Sequence, residues 1–198
     1  MKHFIKITAF TIIALCLNSC ALLQPKAGVN ITMVNSKFTS GFIPGDNDTD
    51  NDQAITKSSG KSVNGEPIKS SDTKTGFYVG VALSDVSLTE KLKFQPEANL
   101  IIVKDFNQIH TPLLLKYNFT EKFTVYAGPN MRFLLDSPQG YNNFSFAVDA
   151  GLSYHITEKL IAEARYDFGL GNLLDNGDSD NYIRMNNIQI GLAYHLNF

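Results

Sequence analysis

Asn187-Ile-Gln-Ile-Gly-Leu-Ala-Tyr-His-Leu-Asn-Phe198 ends the chain on an unbroken alternation. Side chains on a strand alternate sides with a period of two. Ile188, Ile190, Leu192, Tyr194, Leu196 and Phe198 therefore share one face, and Asn187, Gln189, Gly191, Ala193, His195 and Asn197 share the other. A strand that is apolar on one side and closes on an aromatic suits a sheet sealed within a membrane. The greasy face then lies in lipid and no edge is left unpaired.

Working outward, three turns repeat: Leu88-Thr-Glu-Lys91, Phe119-Thr-Glu-Lys122 and Ile156-Thr-Glu-Lys159. Each separates two alternating runs, at spacings of one hairpin per repeat. Strands are expected over 26–36, 75–86, 91–103, 108–118, 122–136, 143–155, 159–171 and 184–198. Most reach the length of roughly 9–11 residues that crosses a bilayer at a tilt. The expected fold is all-β: an eight-stranded, antiparallel, up-and-down transmembrane barrel of outer-membrane type. An even strand count places both ends with the short turns, on the periplasmic side. A long surface loop, about 37–74, is rich in Ser, Gly, Asn, Asp and Lys, cannot build a core and is expected to be mobile.

The expected organisation is a signal peptide over residues 1–20 and a barrel over 26–198. Lys2, His3 and Lys6 precede an apolar core, Ile7 to Leu17, that is too short to span as a helix. Leu17-Asn-Ser-Cys20 has the form of a lipobox, which would leave Cys20 lipidated. Ser19-Cys-Ala21 also fits ordinary cleavage after Ala21, so both remain open. Cys16 lies within the signal, so the mature chain keeps at most one cysteine and no internal disulfide. A net charge of -2 argues against nucleic-acid binding. Mean hydropathy is close to zero, far below that of a helical membrane protein.

Alternation alone does not separate a soluble barrel, apolar inside, from a membrane barrel, apolar outside. The charges decide. Glu97, Lys116, Arg132, Asp149, Glu163, Arg165 and Asp167 all fall on one face, interspersed with glycines. A charge facing lipid at mid-membrane costs about 2–4 kcal/mol, so these residues are expected to line the lumen as a pairing network. Eight strands leave an interior just wide enough for side chains to fill, which favours a plug over an open channel. Phe119, Phe123, Tyr154 and Phe198 near the turns, and Phe77, Phe133, Phe144 and Phe168 near the loops, suggest two interfacial girdles.

Thr111-Pro-Leu-Leu-Leu-Lys-Tyr117, Ala127-Gly-Pro129, Ala164-Arg-Tyr-Asp167 with Gly169-Leu170, and the closing strand resemble the PorT-like outer-membrane barrel family of Gram-negative bacteria. Ala27-Gly-Val-Asn30 matches that family's usual first strand. The resemblance implies outer-membrane residence and assembly by the barrel-assembly machinery, which reads a last strand of this kind through Tyr194, Leu196 and Phe198. It also implies, for some members, assistance to protein secretion. The long first loop and the lipobox-like signal depart from the family pattern.

Candidate chemistry is sparse. Asp46, Asp48, Asp50 and Asp52 alternate as at the start of a calcium loop, but the sixth and twelfth positions from Asp46 hold Asn51 and Lys57, not Gly and Glu. A solvated acidic loop is the better reading, for these and for Asp175, Asp178 and Asp180, and no metal or cofactor is expected. Ser153 and His155 share the lumen face with Glu163, yet sit away from lipid substrate, so lipid hydrolysis ranks behind interior packing. The expected role is non-enzymatic: an envelope barrel in contact with outer-membrane lipid and lipopolysaccharide. Its loops would bind a surface ligand or assist a secretion assembly. A narrow porin-like channel and a lipid-modifying enzyme are the alternatives.

Overall fold

The computed structural model describes residues 23–39, 67–83, 85–135, 137, 140–175 and 177–196. Eight antiparallel strands follow one another: β1 (Leu23–Phe38), β2 (Ile68–Leu83, continued by Val86–Ser87), β3 (Leu92–Ile102), β4 (Gln108–Asn118), β5 (Phe123–Leu134), β6 (Phe144–His155), β7 (Leu160–Gly169) and β8 (Tyr182–Tyr194). Each pairs with the next, and β1 pairs with both β2 and β8, which closes the sheet. Following the register from Ala82 across all eight strands returns to β2 at Asp72, a stagger of ten residues (82 against 72). Closure with such a stagger requires strongly tilted strands, so residues that meet inside the barrel lie far apart in sequence.

The repeated turns share one hydrogen-bonded geometry. Thr89, Thr120 and Thr157 each accept, on Oγ1, the backbone N–H three residues on, all at 3.0 Å. Leu88, Phe119 and Ile156 each donate a backbone N–H to the first residue of the following strand, all at 2.9 Å. The Thr hydroxyl substitutes for a missing ladder partner at the reversal, which is why the same tripeptide recurs.

Two expectations are corrected at the top and bottom of β2. The ladder of β1 with β2 extends to Phe38↔Ile68, so Lys37, Phe38 and residues 68–74 belong to strands and not to the surface loop. Paired backbone there outweighs the polar composition that suggested a loop, because hydroxylated and charged residues are tolerated where both strand faces are wet. At the lower end β2 is not continuous to Val86. Ala82 opposes Glu97 while Val86 opposes Phe94, so one extra residue is accommodated as a bulge. The remaining boundaries shift by at most three residues, except that β8, paired over Tyr182–Tyr194, ends four residues before its expected end; β4 matches its expected span. The signal segment, Cys20, residues 40–66 with Asp46, Asp48, Asp50 and Asp52, and Phe198 lie outside the described residues.

Polarity is inverted relative to a soluble protein. Gln24, Lys26, Asn30, Glu97, Asn99, His110, Asn130, Arg132, Asp149, Arg165 and Asp167 are buried, whereas Phe77, Leu115, Phe146, Tyr166, Phe168, Ile190 and Leu192 are exposed on the outer wall. A continuous exposed apolar wall of this extent is unstable in water and marks a lipid-facing surface. The soluble-barrel alternative is thereby excluded on the structure itself.

Candidate functional site

Among the described residues the lumen gathers chemistry from all eight strands, and it is stacked in three layers. Nearest the short turns, Gln24 Nε2 donates to His195 Nε2 at 2.7 Å and Gln95 Nε2 donates to Gln24 Oε1 at 3.1 Å. Lys116 Nζ reaches Gln95 Oε1 at 3.3 Å and pairs with Asp85 at 3.0 Å. Asp85 sits in the β2 bulge, which re-aims a side chain that regular alternation would send elsewhere. It also lies 3.5 Å from Lys93.

Glu97 is the hub of the middle layer. It pairs with Lys26 at 2.8 Å and with Arg165 at 2.8 Å, and accepts a hydrogen bond from Asn99 Nδ2 at 3.0 Å. Lys26 also pairs with Glu163 at 2.8 Å, and the Tyr78 hydroxyl donates to Glu163 at 3.0 Å. Arg165 continues to Asp149 at 3.3 Å and lies over the Tyr126 ring. Asp149 and Asp167 oppose each other directly on β6 and β7. Two like charges so placed would repel. Asn130 Nδ2 bridges them at 3.0 and 2.9 Å, and Arg132 pairs with Asp167 at 2.8 Å. The layer thus sets acids against bases almost one for one, as a low-dielectric interior demands. Glycines make the room: Gly28 and Gly191 face each other, and a Cβ on Gly28 would meet Tyr78 Cε1 at 2.6 Å.

Above the charges the lumen turns apolar. Val34, Phe106, Leu134, Leu173, Ile183 and Met185 form a buried cluster with Phe38 and Tyr141 packed against it. The upper loops hold this cap in place. Asn172 Oδ1 accepts the N–H groups of Leu174 and Ile183 at 3.0 and 3.1 Å, and Tyr141 bridges to Leu174. Asp178 Oδ1 accepts the backbone N–H groups of Asp180 and Asn181, and these bonds hold its carboxyl below the usual range. Asp180 pairs with Lys37 at 2.8 Å. Of the last-loop acids, Asp178 is therefore engaged within its own turn and Asp180 with Lys37 on β1.

All seven charged residues singled out from the sequence face the lumen and take part in this network. Sequence reasoning missed Lys26, Asp85, the Tyr78 and Tyr126 contacts, and the apolar cap. Lys26 stood at the first residue of the expected β1, where parity with Asn30 was the available signal. Asp85 had none, because a bulge is invisible to a period-two pattern. Ser153 opposes Glu163, whose carboxylate is engaged by Lys26 and Tyr78, while His155 opposes Ile161. Tyr194 is exposed on the outer wall and Leu196 is half-buried.

A closed eight-stranded sheet with a greasy outer wall and a packed ionic interior defines an integral outer-membrane β-barrel. Residues 21–175 match the family model described as outer membrane protein beta-barrel domain, and the chain belongs to that family. No curated protein matches the chain in sequence. Similar solved structures include Neisserial surface protein A, at 14% identity over 88% of this chain and 97% of that one, with a TM-score of 0.45. OprG from Pseudomonas aeruginosa is another, at 15% identity over 89% of this chain and 96% of that one, with a TM-score of 0.44. A third is the Ail protein of Yersinia pestis, in complex with the heparin analogue sucrose octasulfate. It is 10% identical over 86% of this chain and 97% of that one, with a TM-score of 0.35. Membership of that family places this protein in the outer membrane.

Proposed function

We propose that the protein is a plugged, non-conducting and non-enzymatic envelope barrel whose activity lies in its surface loops, either as a binding surface or as an aid to a secretion assembly. The observation that carries this reading is the filled lumen: a paired-charge layer with the Val34–Phe106–Leu134–Leu173–Ile183–Met185 cluster above it. An ion entering from outside would have to shed its water against apolar side chains and then displace pairs that are fully desolvated. Within the outer-membrane barrel family, the PorT-like motifs support membership of that branch. A last strand carrying Tyr194, Leu196 and Phe198 suits delivery by the barrel-assembly machinery. The outer wall suits contact with lipopolysaccharide in the outer leaflet. Barrel expected over 26–198, signal removal before Cys20 or after Ala21, and lipidation of Cys20 in the former case complete the proposal. Mass spectrometry of the mature amino terminus distinguishes the two cleavages.

Single-channel recording in planar bilayers tests the plug, with insertion verified by heat-modifiable gel mobility. The expected trace shows no steady ohmic steps. Reproducible steps from inserted protein would overturn the plugged reading in favour of a narrow channel for small solutes.

A further inference from the structure

The outer wall is not uniformly tall. Registered rows of side chains run round it, and two adjacent rows dip at β7. In one row Tyr154, Ala162 and Leu192 stand side by side, and in the next Leu152, Ala164 and Ile190 do. Each alanine stops short between bulky neighbours on β6 and β8, leaving a hollow of about 360 Å³. Through Leu192 it adjoins a second hollow of about 240 Å³ over Pro25 and Ala27 on β1. The first volume is at the small end of ligand pockets, roughly 300–1,000 Å³.

Directly below this hollow is the third Thr-Glu-Lys turn. Glu158 and Lys159 are exposed and make no ion pair among the described residues, and Ile156 beside them is half exposed. Lys159 precedes Ala162 by three residues, about 10 Å along a strand. One cation and one anion thus stand exposed at the turn next to an apolar trough, at the end of the barrel that the short turns assign to the periplasmic leaflet.

The other two turns provide an internal comparison. Glu90–Lys91 and Glu121–Lys122 carry the same charges, but the residue three places after the lysine is Phe94 and Val125 there, against Ala162 here. The charges are shared by all three turns, whereas the trough belongs to the third.

We propose that β6, β7 and β8 hold one zwitterionic phospholipid of the periplasmic leaflet, its acyl chain in the Ala162–Ala164 trough and its phosphate and ammonium on Lys159 and Glu158. Lys159 meets the phosphate as a compact, strongly hydrated point charge. Each exposed ion pair contributes modestly, so the selectivity arises from two contacts acting on a chain already seated in the trough. The proposal rests on the membrane placement of the barrel and not on whether the lumen conducts.

Native mass spectrometry of the full mature protein, released from nanodiscs of equimolar phosphatidylethanolamine and phosphatidylglycerol, tests it. The expected spectrum shows one retained phospholipid, enriched in phosphatidylethanolamine by about three- to tenfold. Ala162→Leu with Ala164→Leu fills the trough from the lipid side and should abolish retention while gel mobility shows an intact barrel. Glu158→Gln with Lys159→Gln should keep retention but erase the headgroup preference, and Glu121→Gln with Lys122→Gln should change neither. Undiminished retention by the filled trough, equal retention of both lipids by the wild type, or an equal effect at the Glu121 turn would each overturn the proposal. So would a dimer that the leucine pair dissociates, which would assign the trough to a second copy of the chain.

Discussion

Replacing Glu97 by glutamine removes one charge at nearly constant volume from the centre of the lumen. In the folded barrel that carboxylate, itself buried, faces Lys26 at 2.8 Å and Arg165 at 2.8 Å, with Asn99 beside it. Removing one partner of a buried pair costs about 3–5 kcal/mol, mostly because the abandoned charge stays desolvated. Here each cation retains a second acceptor, Glu163 for Lys26 and Asp149 for Arg165, which places the cost at the low end, about 3 kcal/mol. With a urea slope of about 2 kcal/mol/M, the unfolding midpoint should fall by about 1.5 M. Unfolding from lipid vesicles, followed by heat-modifiable mobility and tryptophan-free far-ultraviolet circular dichroism, measures it. The chain contains no Trp, so fluorescence is a poor reporter. Added salt should leave the difference between Glu97→Gln and wild type intact, because buried pairs are screened little. An unchanged midpoint at unchanged slope, or a difference that salt erases, would refute the account of the lumen as a desolvated pairing network.

Three further outcomes follow from the same geometry. Gly191→Ala puts a Cβ against the Tyr78 hydroxyl and the Ala27 carbonyl, one of them backbone, so assembled barrel should fall well below wild-type abundance on heat-modifiability gels; normal abundance would mean that the β1–β8 seam relaxes. Asp178 owes its lowered pKa first to the backbone N–H of Asp180 and then to that of Asn181. The carboxylate's hold on these amides is therefore present above the ordinary aspartate range and lost as pH falls through the depressed value. The Asp180 and Asn181 amide shifts in micelles should titrate together below that range, and titration at an ordinary aspartate pKa would contradict the cap. Phe198→Ser should lower the amount of assembled barrel in the outer membrane, which quantitative blotting of membrane fractions would check against unchanged total synthesis.

Much of the architecture was legible because a barrel wall has a simple grammar. Parity assigned Glu163, Arg165 and Asp167 to the lumen and Ala162, Ala164 and Phe168 to the wall, and a single strand is enough for that since the period is two. The Thr-Glu-Lys repeats marked three reversals because the threonine hydroxyl accepts the same backbone amide at each. Composition misled at residues 68–74, where polar side chains belong to a strand whose two faces are both wet. Tall and short wall positions were present in the sequence as Ala162 and Ala164, but only cross-strand neighbours turn a short residue into a trough.

The sequence by itself determined the class of fold and, outside the β2 bulge, the sidedness of the strands. It could not determine which charges meet. Glu97 finds Lys26 and Arg165 across 71 and 68 residues of chain because the sheet closes with a stagger of ten, and a register slip of two would preserve every strand's polarity while re-pairing the whole interior. The apolar roof has the same origin. Phe106, Leu173 and Tyr141 come from three different loops and carry no shared pattern. They become one buried cluster only when closure brings the tops of the strands to one ring, since contact between loops is a property of the closed barrel and not of any segment within it.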